Sequence, residues 1–210
     1  MESQSEVHAK DIKITFKIAI FTKSLSRTNH KNLNVEWVSI DKILDNLEPL
    51  IDSYLNLDNP SCCEFQGGFF IEIDGNPWND EGYVDEFRMT HNWFWALNKL
   101  LENDIARFSP WEESEMYLER NADGVLIKDY GLIPCWVPLK SLYNGIIDEG
   151  YKFADLIDKI KVHVDRRKQV AIDKNDYRIL DLIVTYYDEY DFRGDIDKLS
   201  NAYIKFTLDK

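Results

Sequence analysis

The chain has 210 residues, a length that suits one large domain with a substantial buried core. It carries 38 acidic and 25 basic residues, a formal net charge of −13, which argues against a nucleic-acid-binding protein because such proteins need a basic patch to neutralise phosphates. The first residues lack the basic and apolar regions of a secretory signal, and no apolar run approaches the ~20 residues of a membrane span. These features predict a cytoplasmic protein without a membrane partner.

Cysteine and histidine usage gives no sign of a disulfide framework or a metal site. The three cysteines are Cys62, Cys63 and Cys135, an odd number with no CxxC pair. The four histidines are scattered without the spacing of metal ligands. We therefore expect reduced thiols, no bound metal and no cofactor.

The first predicted strand runs from Ile12 to Ile20, where apolar residues alternate with lysine and threonine. This period of two is typical of a strand with one buried and one solvated face. The next apolar residues, from Ile40 to Leu55, follow helical spacing after Ser39, a potential helix cap. Pro49 lies inside this pattern and predicts a kink or two short helices, because proline lacks a backbone donor.

The central stretch, Phe65 to Leu101, combines a strand and a helix around an acidic connection. Its strand contains Gly67-Gly68, a pair that indicates a bulge or a close backbone approach. A helix is predicted from about His91 to Asn103, and its spacing turns Trp93 toward the core. Trp95 falls among polar residues of the same helix, so we predict that it is a contact residue.

The clearest hairpin signal is Asp123-Gly124, which lies between two segments of alternating apolar residues, 116–120 and 125–130. A further short strand is predicted at Ile133 to Val137. From Leu139 onward the apolar residues follow helical spacing instead.

The carboxyl-terminal part of the chain is mainly helical by its pattern. The spacing after Leu139 predicts one long helix, or two helices that meet near Gly145 to Gly150. Asp173 is a potential cap for a last helix, which is apolar from Tyr177 to Tyr187. Apolar residues alternate once more between Ile204 and Leu208, which predicts a terminal strand.

The order of these elements predicts a single α+β domain over residues 1–210. A largely antiparallel sheet would be covered by helices, and residues 139–190 would form a mainly helical carboxyl-terminal portion.

No signature of a hydrolase, a nucleotide-binding protein or a zinc protease occurs in the chain. Glu72 and Asp74 alternate with Ile71 and Ile73, which predicts that the two carboxylates share one face of a strand. Such a pair can act as acid and base or bind a divalent ion. The alternative interpretation is a solvent-facing strand surface.

Carboxylates form three clusters, each with an aromatic residue inside or beside it. The clusters are Asp80, Glu81, Asp85 and Glu86 with Trp78 and Tyr83; Glu112, Glu113 and Glu115 with Trp111; and Asp188, Glu189 and Asp191 with Tyr190. Aromatic anchors ringed by carboxylates suit an interface for a basic protein, because charge speeds encounter and desolvated aromatics hold the complex. The alternative is three solvated loops beside core aromatics. We predict a partner-binding site formed by Trp78, Asp80, Glu81, Asp85, Glu86, Trp95, Trp111, Glu112 and Glu113.

The aromatic-rich strand that leads into a tryptophan-rich helix, the Asp-Gly hairpin and the acidic loops together resemble the immunity proteins that bacteria keep in the cytosol against polymorphic toxins. The resemblance covers most of the chain and implies a binding protein that neutralises a basic partner, such as a toxin, by occlusion and without catalysis. We expect a monomer or a weak dimer that binds no nucleic acid. Two alternatives stay open: a carboxylate-dependent, hydrolase-like enzyme that uses Glu72 and Asp74, and an acidic regulator that mimics nucleic-acid charge.

Overall fold

The computed structural model describes residues 6–21, 35–55, 65–79, 85–110, 115–122, 124–129, 132–174 and 190–209. Its elements, in chain order, are β1 (Val7–His8), β2 (Ile12–Phe21), β3 (Val35–Ser39), α1 (Ile40–Leu44), α2 (Glu48–Leu55), β4 (Gln66–Ile73), β5 (Asn76–Pro77), β6 (Asp85–Glu86), a 3-10 helix (Phe87–Thr90), α3 (His91–Asn103), β7 (Ile105–Phe108), β8 (Met116–Arg120), β9 (Gly124–Lys128), β10 (Cys135–Pro138), α4 (Leu139–Lys174) and α5 (Phe192–Leu208). Cys62, Cys63 and the apolar segment from Tyr177 to Tyr187 lie outside the described residues. None of the helices in the described ranges is long and apolar enough to cross a membrane.

The strands form two five-stranded sheets. The first has the order β3-β2-β4-β5, and β6 also pairs with β4. The second has the order β1-β10-β9-β8-β7, which includes the predicted Asp-Gly hairpin as the antiparallel pair β8–β9. Only the pairing of β1 with β10 is parallel among the described strands. The predicted α+β class with largely antiparallel strands is therefore confirmed, with the strands divided between two sheets.

The alternation in β2 buries one face of the strand, as its sequence predicts. Ile14, Phe16 and Ile18 are buried, whereas the intervening lysine and threonine side chains are exposed or half-buried. The Phe16 ring centroid lies 5.1 Å from that of Phe69 in β4 and 4.7 Å from that of Phe153 in α4. This side of the first sheet is therefore joined to the helices by packed aromatic rings.

The close backbone approach predicted at Gly67 is present in β4, and the strand has no bulge there. The register between β2 and β4 runs on without interruption through Ile18–Gly67 and Lys17–Gly68. A Cβ atom on Gly67 would lie 2.8 Å from the Lys17 carbonyl oxygen and 2.7 Å from the Phe87 ring. Glycine is therefore required here by packing.

The apolar segment 40–55 forms two short helices, α1 and α2, which was one of the two predicted outcomes. Ser39 occupies the cap position of α1, but its side chain makes no cap hydrogen bond. Pro49 is the second residue of α2. The amides of the first helical turn have no acceptor within the helix, so proline is tolerated there.

The chain from Leu139 forms one continuous helix of 36 residues, α4. Gly145 and Gly150 do not break it. A Cβ atom on Gly145 would lie 2.9 Å from the Ile14 side chain, and one on Gly150 would lie 2.9 Å from the Phe94 ring. The two glycines thus allow α4 to approach β2 and α3 closely. Asp173 lies inside α4, so the prediction that it caps a new helix was wrong.

The predicted terminal strand was also wrong, because this part of the chain forms the helix α5. Phe192, Ile196, Leu199 and Tyr203 are buried and recur at helical spacing along one face. This face packs against α3 and α4. Phe206 is half-buried beside these residues, whereas the other apolar residues of the alternating pattern lie on the solvent side of α5.

Helix α3 lies where the two sheets meet. The Trp93 ring centroid is 5.8 Å from that of Phe69 in the first sheet and 5.0 Å from that of Phe108 in the second. These residues belong to one hydrophobic core that also includes the buried faces of α4 and α5. The position of α3 in this core determines which of its faces is left for solvent.

Candidate functional site

Helix α3 carries two tryptophans on opposite faces. They lie two residues apart, and an α-helix turns about 100° per residue, so their side chains point about 200° apart. Trp93 is only 4% exposed, whereas Trp95 is 52% exposed. The prediction that Trp95 lies on the polar side of the helix is confirmed. Within the described part of the chain, no aromatic ring or cation packs against Trp95.

The neighbours of Trp95 on α3 are polar and make contacts within the helix. Lys99 Nζ lies 2.9 Å from Glu102 Oε2, and Asn98 Nδ2 donates to the Phe94 carbonyl at 3.1 Å. An exposed ion pair of this kind contributes only about 0–1 kcal/mol to stability. Trp95 is therefore a large apolar group on a solvated ridge, which is the kind of residue that protein interfaces use as an anchor.

Buried and partly buried hydrogen bonds fix α3 from two sides. The Tyr143 hydroxyl of α4 donates to the Leu97 carbonyl at 2.8 Å, and burial raises the pKa of Tyr143 above its ordinary value. Arg120 of β8 donates from Nε to the Leu100 carbonyl at 3.1 Å and from Nη2 to the Leu101 carbonyl at 3.3 Å. The Arg120 contacts bind carbonyls of the last turn and the Tyr143 contact holds the middle of the helix, so Trp95 is presented from a rigid element.

Three distant segments of the chain meet at the first turn of α3. The pair Asp85–Glu86 forms β6 and leads through the 3-10 helix into α3. The Asn92 side chain donates from Nδ2 to the Ser109 carbonyl at 2.7 Å. The His91 ring stacks on that of Tyr190 with 4.7 Å between centroids. We call this arrangement, residues 85–86 and 91–92 with Ser109 and Tyr190, the α3 N-terminal surface.

Each of the three acidic clusters therefore adjoins the α3 N-terminal surface along the chain. Asp80, Glu81, Trp111, Glu112 and Glu113 lie outside the described residues, and only the backbone of Asp85 and Glu86 is described. Their chain neighbours, by contrast, are held at this surface by β6, by the Asn92 hydrogen bond and by the His91 stack. The first two clusters flank α3 in the sequence, which made their approach foreseeable, whereas the contact of Tyr190 with His91 leaves no local pattern because it joins residues far apart in the chain.

Trp78 has a structural role away from this surface. Its indole Nε1 donates to the Ile133 carbonyl at 3.0 Å, and its backbone N–H donates to the Ile71 carbonyl at 2.8 Å. The ring packs against the core. Ile71 lies five residues along β4 from Gln66, the partner of β6, which is roughly 16 Å of strand. The backbone of Trp78 is therefore not brought to the α3 N-terminal surface.

The prediction that Glu72 and Asp74 share one strand face was wrong. Strand β4 ends at Ile73, and Asp74 begins a tight turn with a φ of 49°. Asp74 Oδ1 accepts the backbone N–H groups of Lys10 and Asp11 at 2.9 and 2.8 Å. Glu72 remains on the strand and pairs with a lysine of β2 at 3.7 Å. Both carboxylates have structural partners.

A groove between the α1–α2 turn and α4 was missed by sequence reasoning. It encloses about 550 Å³ and is lined by residues of both charges. Glu48 pairs with Arg167 and lies 3.3 Å from His163 Nε2, and Lys159 Nζ donates to the Leu44 carbonyl at 2.8 Å. These charged groups are used to join α1 and α2 to α4. In the described ranges, no cluster of three or more histidine, cysteine or acidic side chains could hold a metal ion.

Comparison of the chain with models of known protein families, with curated proteins and with solved structures found no match.

Proposed function

We propose that this protein is an immunity-type or inhibitor-type binding protein, which neutralises a basic protein partner, such as a toxin, by occlusion. The observation that carries the proposal is Trp95, a half-exposed tryptophan on the outer ridge of a helix whose other face is fixed in the core. Tryptophan is enriched among the residues that dominate binding energy at protein interfaces. A rigid support keeps the entropic cost of placing such an anchor low.

The charge of the chain supports a basic partner. The net charge is −13, and the three acidic clusters adjoin the α3 N-terminal surface along the chain. In the proposed complex, Asp80, Glu81, Asp85 and Glu86, together with Glu112 and Glu113, accelerate association with a positively charged surface. Trp95, assisted by Trp111, forms the desolvated centre of the interface. Trp78 contributes at most at the rim, because its indole N–H is already bonded within the protein.

The test is a measurement of binding kinetics against the protein encoded by the adjacent gene, where an immunity protein would have its partner. Trp95→Ala should accelerate dissociation by about 30-fold or more, which corresponds to roughly 2 kcal/mol. Replacement of both Asp80 and Glu81 by lysine should instead slow association and flatten its dependence on salt, because charge acts mainly on the encounter.

The matched control is Ile204→Ala, which truncates an apolar residue of α5 that is 52% exposed, like Trp95. It should leave both rates within about twofold of wild type, since most exposed residues contribute little to binding. If Trp95→Ala and the charge reversals leave both rates unchanged, the proposed function is wrong.

A further inference from the structure

Strand β7 lies at the edge of the second sheet and pairs with β8 on one side. The Arg120 N–H donates to the Asp104 carbonyl at 2.7 Å, just before β7 begins, and Ala106 pairs with Leu118 two residues later. In an antiparallel pair, the residues that exchange backbone hydrogen bonds alternate along each strand. The backbone groups of Ala106 and Phe108 therefore face β8.

By the same alternation, the backbone N–H and C=O groups of Ile105 and Arg107 face the outer edge of β7. Within the described part of the chain, none of these four groups is hydrogen-bonded. The Ile105 side chain is 49% exposed, and that of Arg107 is also exposed. An open edge of this kind is a template for another extended chain.

The open edge adjoins the α3 N-terminal surface. The alternation that places Ile105 and Arg107 at the outer edge also places the carbonyl of Ser109 on that side. This carbonyl accepts a hydrogen bond from Asn92 Nδ2 at 2.7 Å. Trp95 lies one helical turn beyond Asn92 on α3. An extended segment at this edge would therefore lie beside the first turn of α3.

We propose that the outer edge of β7 receives an extended segment of the basic partner as an added strand. This inference rests on the proposed function and specifies how the partner is held. Ile105 and Arg107 each offer one donor and one acceptor, so the added strand can form up to four backbone hydrogen bonds, as in other cases of strand addition.

The chemistry on the two sides of the edge specifies the sequence of the added strand. The outer face of the sheet presents Ile105 and the cation Arg107, whose guanidinium lies 5.5 Å from the centroid of the Tyr117 ring. Apolar side chains suit this face, because lysine there would meet like charge. On the opposite face of an added strand, lysine is favoured by the net charge of −13 and by the basic character of the proposed partner. The segment should therefore alternate apolar and basic residues.

The experiment measures backbone amide exchange by NMR, with a blocked peptide of alternating lysine and valine as the probe, at about 10 mM salt so that charge attraction is weakly screened. In the free protein, the Ile105 and Arg107 amides should exchange fast, whereas those of Ala106 and Phe108 should exchange slowly. The bound peptide should slow the first two by the factor 1 + [L]/Kd, about 100-fold at 100 Kd.

Two controls separate strand addition from simple charge attraction. The same peptide with every backbone nitrogen methylated keeps its charge, but it has no donors and its methyl groups prevent close approach of the two strands, so it should lose the protection at Ile105 and Arg107. Arg107→Pro removes an edge N–H without affecting the bonds to β8, and it should weaken peptide binding by roughly two- to tenfold relative to Arg107→Ala. The Trp37 amide, which faces the outer edge of β3, should be unaffected.

The inference is overturned if the peptide fails to bind at millimolar concentration, if it binds while the Ile105 and Arg107 amides stay fast, or if it protects Trp37 instead. The same exchange measurement with the adjacent-gene product distinguishes this failure from that of the proposed function. A partner that depends on Trp95 but leaves both edge amides fast supports the proposed function and excludes strand addition. Absence of binding by that partner counts against the proposed function. The peptide result alone then decides whether the outer edge of β7 accepts an added strand.

Discussion

Trp93 and Trp95 are the same residue type on the same helix, yet they lie in opposite surroundings. Trp93 packs between Phe69 of the first sheet and Phe108 of the second, at 5.8 and 5.0 Å between ring centroids. Trp95 projects from the other face of α3 between a lysine–glutamate pair and solvent. This difference indicates that α3 has two separable roles. Its buried face stabilises the core, and its exposed face is available for binding.

The largest expected effect is a loss of stability when Trp93, on the buried face of α3, is replaced. Trp93→Ala should lower the free energy of unfolding by about 3–5 kcal/mol, because it removes a large buried ring and leaves a cavity between the two sheets. Urea unfolding followed by circular dichroism measures this loss. A loss below about 1 kcal/mol would mean that the contact between the sheets does not depend on this ring.

Leu97→Ala should cost about 2–5 kcal/mol, since Leu97 lies on the same buried face and is fully enclosed. The same unfolding measurement applies. Leu101→Ala is the matched control, because Leu101 is half-buried on the same helix and should cost less. Equal losses at the two positions would contradict the assignment of the buried face.

Replacement of a buried carboxylate tests whether polar contacts also stabilise the core. Glu149 of α4 accepts the Phe16 N–H at 2.7 Å and the Lys152 ammonium at 2.8 Å. Glu149→Ala should cost about 1–3 kcal/mol, because it leaves a buried amide without an acceptor. The neighbouring Asp148 is exposed, and Asp148→Ala should stay within about 0.5 kcal/mol of wild type. If the two variants unfold alike, the Glu149 contact contributes nothing.

The stability should also fall at alkaline pH because of Tyr143. Burial raises the pKa of Tyr143 in the folded protein, so the unfolded chain loses its proton first. The stability from this group is complete below its unfolded pKa of about 10 and is lost as pH rises above it, by at most about 1.4 kcal/mol per pH unit. Unfolding between about pH 8 and pH 11 should show the stability advantage of wild type over Tyr143→Phe shrinking. Parallel curves would contradict this prediction.

The smallest expected effect is on the outer face of α3. Trp95→Ala should change the free energy of unfolding by no more than about 0.5 kcal/mol, because the side chain is half exposed and no aromatic ring or cation packs against it in the described structure. Together with a large effect on dissociation, this would separate the two faces of α3. A stability loss comparable with that of Trp93→Ala would show instead that Trp95 is part of the core.

The placement of the candidate surface was only partly predictable. The polar side of α3 and the exposure of Trp95 follow from spacing, and they were predicted. The role of Trp78 was not predicted, because its indole N–H bonds to Ile133, which lies 55 residues away in the chain. The open edge of β7 was likewise not predicted, because strand order in a sheet depends on pairing between distant segments and produces no local sequence pattern.

What the sequence by itself determined are the elements with one strong and sustained periodicity. Strand β2, the β8–β9 hairpin and the bounds of α3 follow from alternating or helical apolar spacing and from an Asp-Gly turn. The tertiary structure decided the rest. Apolar residues near the carboxyl terminus fit a period of two over a few residues and a helical period over a longer stretch, and α5 is a helix because α3 and α4 cover its long apolar face. Short patterns are ambiguous in this way because a few alternating apolar residues can fall inside a longer helical pattern, and only the surface available for packing selects between the two.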